Sequence, residues 1–351
     1  MKKFTLFLTI ISLASLPCKA QTKKEKTFVG RQIEWAKDYL DKSCIEGCDT
    51  AYVGLPKNGF FGSLSANFAG INTKVTGRGL LNFGDMDIKM NSLLQGQATV
   101  KLGYRGLLLS YTKDLHKAYN SDISFSYFDR AWGAEFRNHS TNAMHGTVEL
   151  PVLDEPIKVA KGNINVKTTF LDFYVILNSR KFSFSATKSP TVIQKHSAGS
   201  LLIVGSYMHS KLQNVSPSFV DNLDDVTEIY VVQAAVGFGY GYNYSIKGGK
   251  ILLHLSAMPT VIIHNNNLVG WDYTTKDENG EEDTIHILEK VNSKHDISFA
   301  SIFRCSVNYN INDRFVVRAD GKVNNLRFHS NSGLKITTAD WYCSVMFGVR
   351  F

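Results

Sequence analysis

Two short segments of the chain place histidine beside serine, the residue types of a hydrolytic site. His329 directly precedes Ser330, and His139 directly precedes Ser140. A serine hydroxyl becomes a nucleophile only within reach of a base. In an extended chain neighbouring side chains point to opposite faces, so in neither pair can the histidine act as the base for the adjacent serine. The sequence therefore favours polar loops and a protein that is not an enzyme, with His329 and Ser330 kept as its catalytic candidates.

Charged residues that recur at strand spacing form a second group that could do chemistry. An extended chain directs such residues to one face, where ammonium and guanidinium groups bind phosphate or carboxylate. Aspartates on the same face would instead satisfy the cations as ion pairs, and the sequence favours this second interpretation. The candidates for ligand binding are Lys101, Arg105, Asp172, Arg304, Arg318, Asp320 and Lys322, and Arg350 is expected on the same face.

The sequence predicts neither a metal nor a cofactor. His254 and His264 are both predicted to face inward on one strand, but they are ten residues apart, about 33 Å, and cannot share a metal ion. Gly237, Gly239 and Gly241 lie on one strand face, and no helix follows that would present its amino terminus to phosphate. Their spacing predicts room for bulky side chains or for another segment of the chain.

Two cysteines lie close together and predict a small local disulfide. Cys44 and Cys48 are four residues apart, and an exported chain reaches an oxidising compartment. Zinc is the alternative, but two thiols without nearby histidines make only half a site. Cys305 and Cys343 fall in strand-like segments and are interpreted as small apolar fillers.

The amino terminus predicts export. Residues 1–20 have the basic, apolar and small-residue order of a signal peptide, with cleavage near Ala20 and Gln21. Losing three lysines with this segment leaves 36 basic residues against 31 acidic ones. Because this balance is mild and no dense basic tract is present, nucleic acid is not expected as a partner. No later segment has the ~18 consecutive apolar residues of a spanning helix. The mature chain is therefore either a soluble exported protein or a closed barrel.

The pattern along the mature chain changes near residue 58. In the segment 21–57, apolar residues at Ile33, Ala36, Tyr39 and Leu40 predict one short periplasmic helix over residues 29–42. From residue 58 to 351 the helical periodicity disappears, and long segments alternate apolar with polar or small residues. This alternation is typical of transmembrane strands.

The final segment shows the two faces most clearly. Trp341, Val345, Phe347, Val349 and Phe351 share an apolar face that suits lipid, and the residues between them suit a lumen. Strands in soluble sandwiches are usually shorter. The sequence thus predicts an all-β antiparallel transmembrane barrel of about ten strands, within a range of eight to twelve, at residues 59–71, 97–113, 121–138, 166–178, 198–212, 230–247, 250–264, 295–311, 314–328 and 334–351.

The connections alternate between long and short, with one exception. Residues 265–294 are long and acid-rich, as outer loops are, and outer loops are also predicted at residues 79–96, 139–165 and 213–228. Residues 247–250 and 312–313 are tight turns. Residues 179–197 are too long for a turn on the inner side. They contain either two more strands or an inner plug, so ten strands with a plug and twelve strands both stay open. About ten strands leave an interior that side chains can fill, which disfavours general diffusion.

Several short motifs of the chain resemble an uncharacterised family of Bacteroides-type outer-membrane proteins, domain of unknown function family 4421. The likeness covers most of the mature chain and implies a barrel, but no activity, cofactor or catalytic residue. The motifs that carry it are Lys181-Phe182-Ser183-Phe184-Ser185-Ala186, Gln194-Lys195-His196-Ser197-Ala198-Gly199-Ser200, Asp49-Thr50-Ala51-Tyr52-Val53-Gly54-Leu55-Pro56, Gly237-Phe238-Gly239-Tyr240-Gly241-Tyr242-Asn243 with His254-Leu255-Ser256, and the ending from Trp341 to Phe351.

The apolar face that ends at Phe351 also resembles the signal by which barrel proteins are recognised by their assembly machinery. We expect the protein in the outer membrane of a Gram-negative bacterium, with membrane lipids and that machinery as partners. A structural or interaction role, or narrow ligand binding, is the favoured function. The alternatives are a gated transporter of small anionic solutes and a hydrolase that modifies lipids of the outer leaflet.

Overall fold

A single closed sheet forms most of the chain. The computed structural model describes residues 28–77, 86–92, 95–115, 120–149, 155–214, 226–276, 282–290, 298–329 and 335–351. The predicted signal peptide and its cleavage site lie outside these residues, as does Ser330. Among the described residues, no helix is both long and apolar enough to cross a membrane.

Twelve antiparallel strands close into a barrel, the upper limit of the predicted range. Each strand pairs with its neighbours in the chain, and the last strand pairs with the first. An even number brings both termini of the barrel to one end, here called the terminal end, and the opposite end is called the loop end. The strands are β1 Phe60–Gly77, β2 Gln95–Tyr104, β3 Leu107–Asp114, β4 Asn120–Phe128, β5 Trp132–Thr141, β6 Ile164–Ile176, β7 Ala198–Asn214, β8 Val226–Ile246, β9 Ile251–Lys276, β10 Ser298–Asn310, β11 Phe315–His329 and β12 Lys335–Arg350.

The two additional strands arise because two predicted strands are hairpins. The segment 97–113 turns at Arg105 and Gly106 between β2 and β3. The segment 121–138 turns at residues 129–131, where the Asp129 carboxylate accepts hydrogen bonds from the backbone N–H groups of Ala131 and Trp132. Arg105 has φ +52°, which is uncommon for a residue other than glycine, so the sequence carried little sign of this turn.

Alternation places an apolar surface outside and polar residues inside. In β12, Val345 and Phe347 face outward and are exposed, whereas Ser344, Met346 and Arg350 face inward and are buried, as predicted. Trp341 and Val349 lie on the same outer face, which continues to Phe351. Phe238 and Leu255 are 71% and 67% exposed on neighbouring strands. A continuous apolar belt of this kind is what a lipid bilayer covers.

A plug closes the terminal end of the barrel. Residues 177–197, called the plug from here on, join β6 to β7 and include the short helix Ser185–Lys188 and the strand Ile193–Gln194. That strand pairs with Val53–Gly54 of the amino-terminal segment. Phe182 and Phe184 are completely buried, and the ring of Phe184 lies 5.2 Å from that of Tyr174. Of the two alternatives for residues 179–197, the inner plug is therefore correct, and the prediction of two more barrel strands in this segment is wrong because the additional strands come from the two hairpins.

The inward glycines of β8 have the role that their spacing predicted. A Cβ at Gly241 would lie 3.1 Å from the ring of Phe182 in the plug, and one at Gly239 would lie 2.4 Å from Met258. His264 differs from its prediction, because a register shift between Ala234 and Ala235 turns it outward. His254 faces inward as predicted, and its ring contacts Asn243 Oδ1 at 2.8 Å.

The helix Phe28–Ile45 lies across the terminal end and confirms the predicted helix over residues 29–42. Its buried residues Ala36, Leu40 and Cys44 are four apart and form one stripe. Ser43 Oγ accepts a hydrogen bond of 3.0 Å from the hydroxyl of Tyr127 in β4. The helix is thus fixed to the rim beside the hairpin turns.

Further strands extend the sheet at the loop end. Met86–Ser92 continues from β1 and pairs with Met144–Glu149, which pairs in turn with Ile157–Val159. Glu282–Lys290 forms a hairpin with the end of β9. The regions 79–96, 139–165 and 265–294, predicted as outer loops, therefore contain strands that extend the sheet past the barrel.

Candidate functional site

A polar cavity of about 170 Å³ lies in the barrel lumen above the plug. Lys188 of the plug contributes to its lining, together with residues from both sides of the barrel wall. Its charged lining consists of Lys101, Arg137, Lys188, Arg304, Arg318 and Lys322 and of Asp122, Glu135, Asp172 and Asp320. Six of the seven predicted ligand-binding residues are in this set, and Arg105 is the exception.

Ion pairs cross the lumen and join walls that lie nearly opposite each other. Arg304 of β10 contacts Glu135 of β5, and Lys322 of β11 lies 3.2 Å from Asp172 of β6. Lys188 approaches Glu135 at 2.9 Å and so ties the plug to the same network. The sequence favoured ion pairs among the interior charges, and the structure contains them for Arg304 and Lys322 but, among the described residues, not for Lys101. The pairing across the barrel, rather than between adjacent strands, was not predicted.

A second set of charges lies nearer the loop end. The Arg137 guanidinium contacts Asp122 and lies 3.4 Å from Asp340 on β12. His139 Nδ1 is also 3.4 Å from Asp122. His139 lines the lumen cavity, whereas Ser140 lines a separate pocket at the loop end. Their side chains therefore diverge, as the extended-chain argument predicted for this pair.

The cavity lining carries more positive than negative charge. Six cations face four carboxylates, and Asp340, which reaches Arg137, reduces the surplus to one positive charge. Among the described residues, Lys101 makes no ion pair within 4.0 Å, whereas Glu135 and Asp172 are each shared by two cations. The cavity is therefore a polar environment with a surplus cation.

Arg105 holds the terminal end together rather than lining the lumen. Because it sits in the β2–β3 turn, its guanidinium reaches Asp41 of the amino-terminal helix and the carbonyl oxygen of Pro56 at 3.2 Å. The backbone carbonyl of Arg105 also accepts hydrogen bonds from the hydroxyls of Ser189 and Thr191, both at 2.6 Å. One residue thus connects the helix, the segment before β1 and the plug.

Arg350 and Arg318 bind the plug from inside the barrel. Arg350 Nε donates to the carbonyl oxygen of Pro190 at 2.7 Å, and Arg318 Nη1 donates to that of Lys188 at 2.6 Å. Both guanidinium groups face the lumen, as alternation predicted. Their partners could not be predicted, because the sequence does not show where the plug lies.

The remaining candidates that the structure describes form no metal site. His254 is buried against Asn243 and Ser256. Within the described ranges, no group of three or more His, Cys, Asp and Glu side chains is placed to hold a metal ion. His329 is the last residue of β11, and because Ser330 lies outside the described residues this pair stays a prediction.

The predicted disulfide is absent, because Cys44 and Cys48 are both free thiols. Cys44 Sγ points to the carbonyl oxygen of Phe128, and Cys48 Sγ points to that of Ser179, each at 3.7 Å. The two thiols thus hold different elements of the terminal end. Burial raises the pKa of Cys44 to about 11 and also raises that of Cys48.

We expect the two thiols to react at different rates. In a Cys305→Ser and Cys343→Ser background at pH 7, a maleimide should modify half-buried Cys48 faster than buried Cys44, whose thiolate is scarcer. Intact-mass spectrometry of folded and unfolded protein measures both. If unfolding without reductant left both thiols unreactive, a disulfide would be present and the assignment of free thiols would be wrong.

Sequence comparison identifies one family. A family model described as "Domain of unknown function (DUF4421)" matches residues 48–351, which include the whole barrel and the plug. No curated protein matches the chain.

Solved structures of outer-membrane proteins are similar to the chain at low identity. The outer membrane protease OmpT from Escherichia coli is 11% identical, with 84% of this chain and 97% of that chain covered and a TM-score of 0.38. A bacterial polysaccharide outer membrane secretin is 8% identical, with 84% and 99% covered and a TM-score of 0.31. The beta domain of the Bordetella autotransporter Brka is 8% identical, with 83% and 99% covered and a TM-score of 0.33. Because these identities and TM-scores are low, the assignment of a barrel depends on the closed, hydrogen-bonded sheet of this chain itself.

Proposed function

The chain belongs to the DUF4421 family, defined by a domain of unknown function, and from this premise we propose an outer-membrane barrel with a structural or ligand-binding role and no open pore. The observation that carries the proposal is the plug, which fills the terminal end of the lumen. A barrel closed at one end and polar inside is suited to hold a ligand rather than to pass one.

Membrane insertion is supported by the outer surface and by the strand count. Outward side chains such as Leu64, Phe238 and Leu255 are more than half exposed, and soluble proteins rarely expose so large an apolar area. Short turns at the terminal end and long extensions at the loop end correspond to the periplasmic and outer sides of bacterial barrels. We therefore place the plug and the helix Phe28–Ile45 on the periplasmic side.

The same orientation supports the proposed partners. Outer-membrane lipids would cover the apolar belt, and the face from Trp341 to Phe351 would be read by the barrel-assembly machinery during insertion. Both proposed partners are supported by the outward position of these side chains.

Closure of the lumen is supported by two successive barriers. The plug is held by side chains from several strands, including Asn243, whose amide donates to the carbonyl oxygen of Ser183 at 2.9 Å. Above it, the Arg304–Glu135 and Lys322–Asp172 pairs span the interior. A hydrated solute would have to break charged contacts that are shielded from bulk water, which is costly.

Solute flux through reconstituted vesicles tests this function. Folded protein, verified by heat-dependent gel mobility, is inserted into liposomes, and efflux of chloride, phosphate and a small sugar is followed beside a general-diffusion porin. We expect no flux above that of empty liposomes. Flux of all three solutes would contradict the closed barrel, and flux of the anions alone would favour a gated transporter.

A further inference from the structure

Two arginines that line the lumen cavity retain donors without acceptors. Arg304 and Arg318 are each only 4% exposed, and the Nε atom of each has no hydrogen-bond partner. Arg318 Nε lies 3.2 Å from Asp320 Oδ1 but is not aligned for a hydrogen bond. Buried charged donors are normally satisfied, so both positions call for an acceptor.

Lys101 adds a third donor group to the same cavity. Its ammonium has no ion pair among the described residues, and one of the two residues directly across from it is Ser63, whose hydroxyl is also buried without a partner. The carboxylates cannot serve it fully, since Glu135 and Asp172 are shared and Asp320 lies beside Arg318. The surplus positive charge of the cavity is thus associated with Lys101.

The size of the cavity suits a small polyatomic anion. One ordered water needs about 10–15 Å³, whereas this cavity offers about 170 Å³. Hydroxyl groups complete the lining, including Ser110 and Ser124, which hydrogen bond to each other at 2.6 Å. Space, surplus charge and free donors coincide at one place.

We propose that the lumen cavity binds one small oxyanion of the phosphate class, contacted by Lys101, Arg304 and Arg318. Guanidinium and ammonium groups make their strongest hydrogen bonds to such oxygens. The anion enters from the loop end, and in this respect the proposal rests on the proposed function, because the plug closes the other end. The ligand is inorganic phosphate or the phosphate group of a small organic ester.

Titration calorimetry with inorganic phosphate tests the site. Folded protein in a neutral detergent is dialysed against a buffer free of oxyanions, and wild type is compared with Lys101→Gln. Lys167→Gln is the matched control, because Lys167 is an exposed lysine on the outer face of β6. We expect saturable binding at one site, at least tenfold weaker in Lys101→Gln and unchanged in Lys167→Gln. Gel mobility verifies that all three proteins are folded.

Further arms separate the sources of the anion from failure of the proposal. Glycerol phosphate that binds more tightly than phosphate would identify an organic ester, and equal or weaker binding would identify the free ion. Absence of saturable binding to wild type, or equal affinity in Lys101→Gln, would overturn the site and leave water as its occupant. The flux assay uses the same preparation. If the vesicles show no solute flux and the protein binds no phosphate, the phosphate site is rejected while the proposed closed barrel stands.

Discussion

Replacing Glu135 with alanine is expected to destabilise the folded barrel by about 3–5 kcal/mol, the range for removing one partner of a buried ion pair. Glu135 contacts both Arg304 and Lys188, which are almost completely shielded from solvent. The substitution leaves Asp172, at 3.7 Å, as the only carboxylate paired with Arg304 among the described residues, and it removes the ion pair between Lys188 of the plug and Glu135. Urea unfolding of the reconstituted protein, followed by gel mobility, measures the change.

Glu149→Ala is the matched control for this substitution. Glu149 also pairs with a lysine, Lys89, at 3.3 Å, but both side chains are about half exposed at the loop end. Exposed pairs contribute at most ~1 kcal/mol, so this variant should remain close to wild type. If the two variants lost similar stability, the charges across the lumen would not be the structural network described above.

Gly106→Ala is expected to cost about 3 kcal/mol, the upper end of typical overpacking effects. A Cβ at this position would lie 1.8 Å from the carbonyl oxygen of Phe128. That oxygen also accepts the Cys44 thiol, and the N–H of Phe128 donates to the Gly106 carbonyl at 3.0 Å, so the neighbouring backbone cannot move freely. The same unfolding experiment measures the effect.

Gly205→Ala controls for the loss of a strand glycine as such. A Cβ at Gly205 in β7 would have no atom within 4 Å, and alanine is usually preferred to glycine inside a strand. Stability equal to or slightly above that of wild type is expected. An equal loss in both variants would mean that the β2–β3 turn does not approach β4 as closely as the structure has it.

The faces of the barrel could be predicted from the sequence because strand alternation is a local property. The outward set that ends at Phe351 and the inward positions of Arg304, Arg318 and Lys322 all follow from a period of two. The strand count could not be fixed, since the turn at Arg105 depends on a positive φ at a residue that is not glycine. The turn at Asp129 was missed although the outward apolar set changes there from an odd position, Ile123, to the even positions Trp132 and Phe136.

That missed turn also explains why Glu135 and Arg137 were absent from the predicted site. The segment 121–138 was treated as one strand, whereas it reverses direction at residues 129–131. Within β5 alone, Glu135, Arg137 and His139 follow each other at strand spacing and lie opposite aromatic or small residues. Once the hairpin is known, this alternation directs them to the lumen.

The partners of these charges depend on the closed barrel and could not come from local patterns. Arg304 meets Glu135 only because β10 and β5 stand nearly opposite in a ring of twelve strands. The plug is a similar case, because its buried rings and polar atoms find partners on many strands. The sequence showed that residues 179–197 were too long for a turn, but not that they fold inward.

Hydrogen exchange of the plug tests the closed barrel most directly. Within the plug, the N–H of Ser189 donates to the Ser185 carbonyl at 2.7 Å, and the N–H of Lys195 donates to the Tyr52 carbonyl at 2.7 Å. If the plug is part of the folded barrel, peptides covering residues 181–195 should remain protected as long as peptides from β6 and β7. Exchange within seconds, while the barrel strands stay protected, would show an open terminal end and contradict the account.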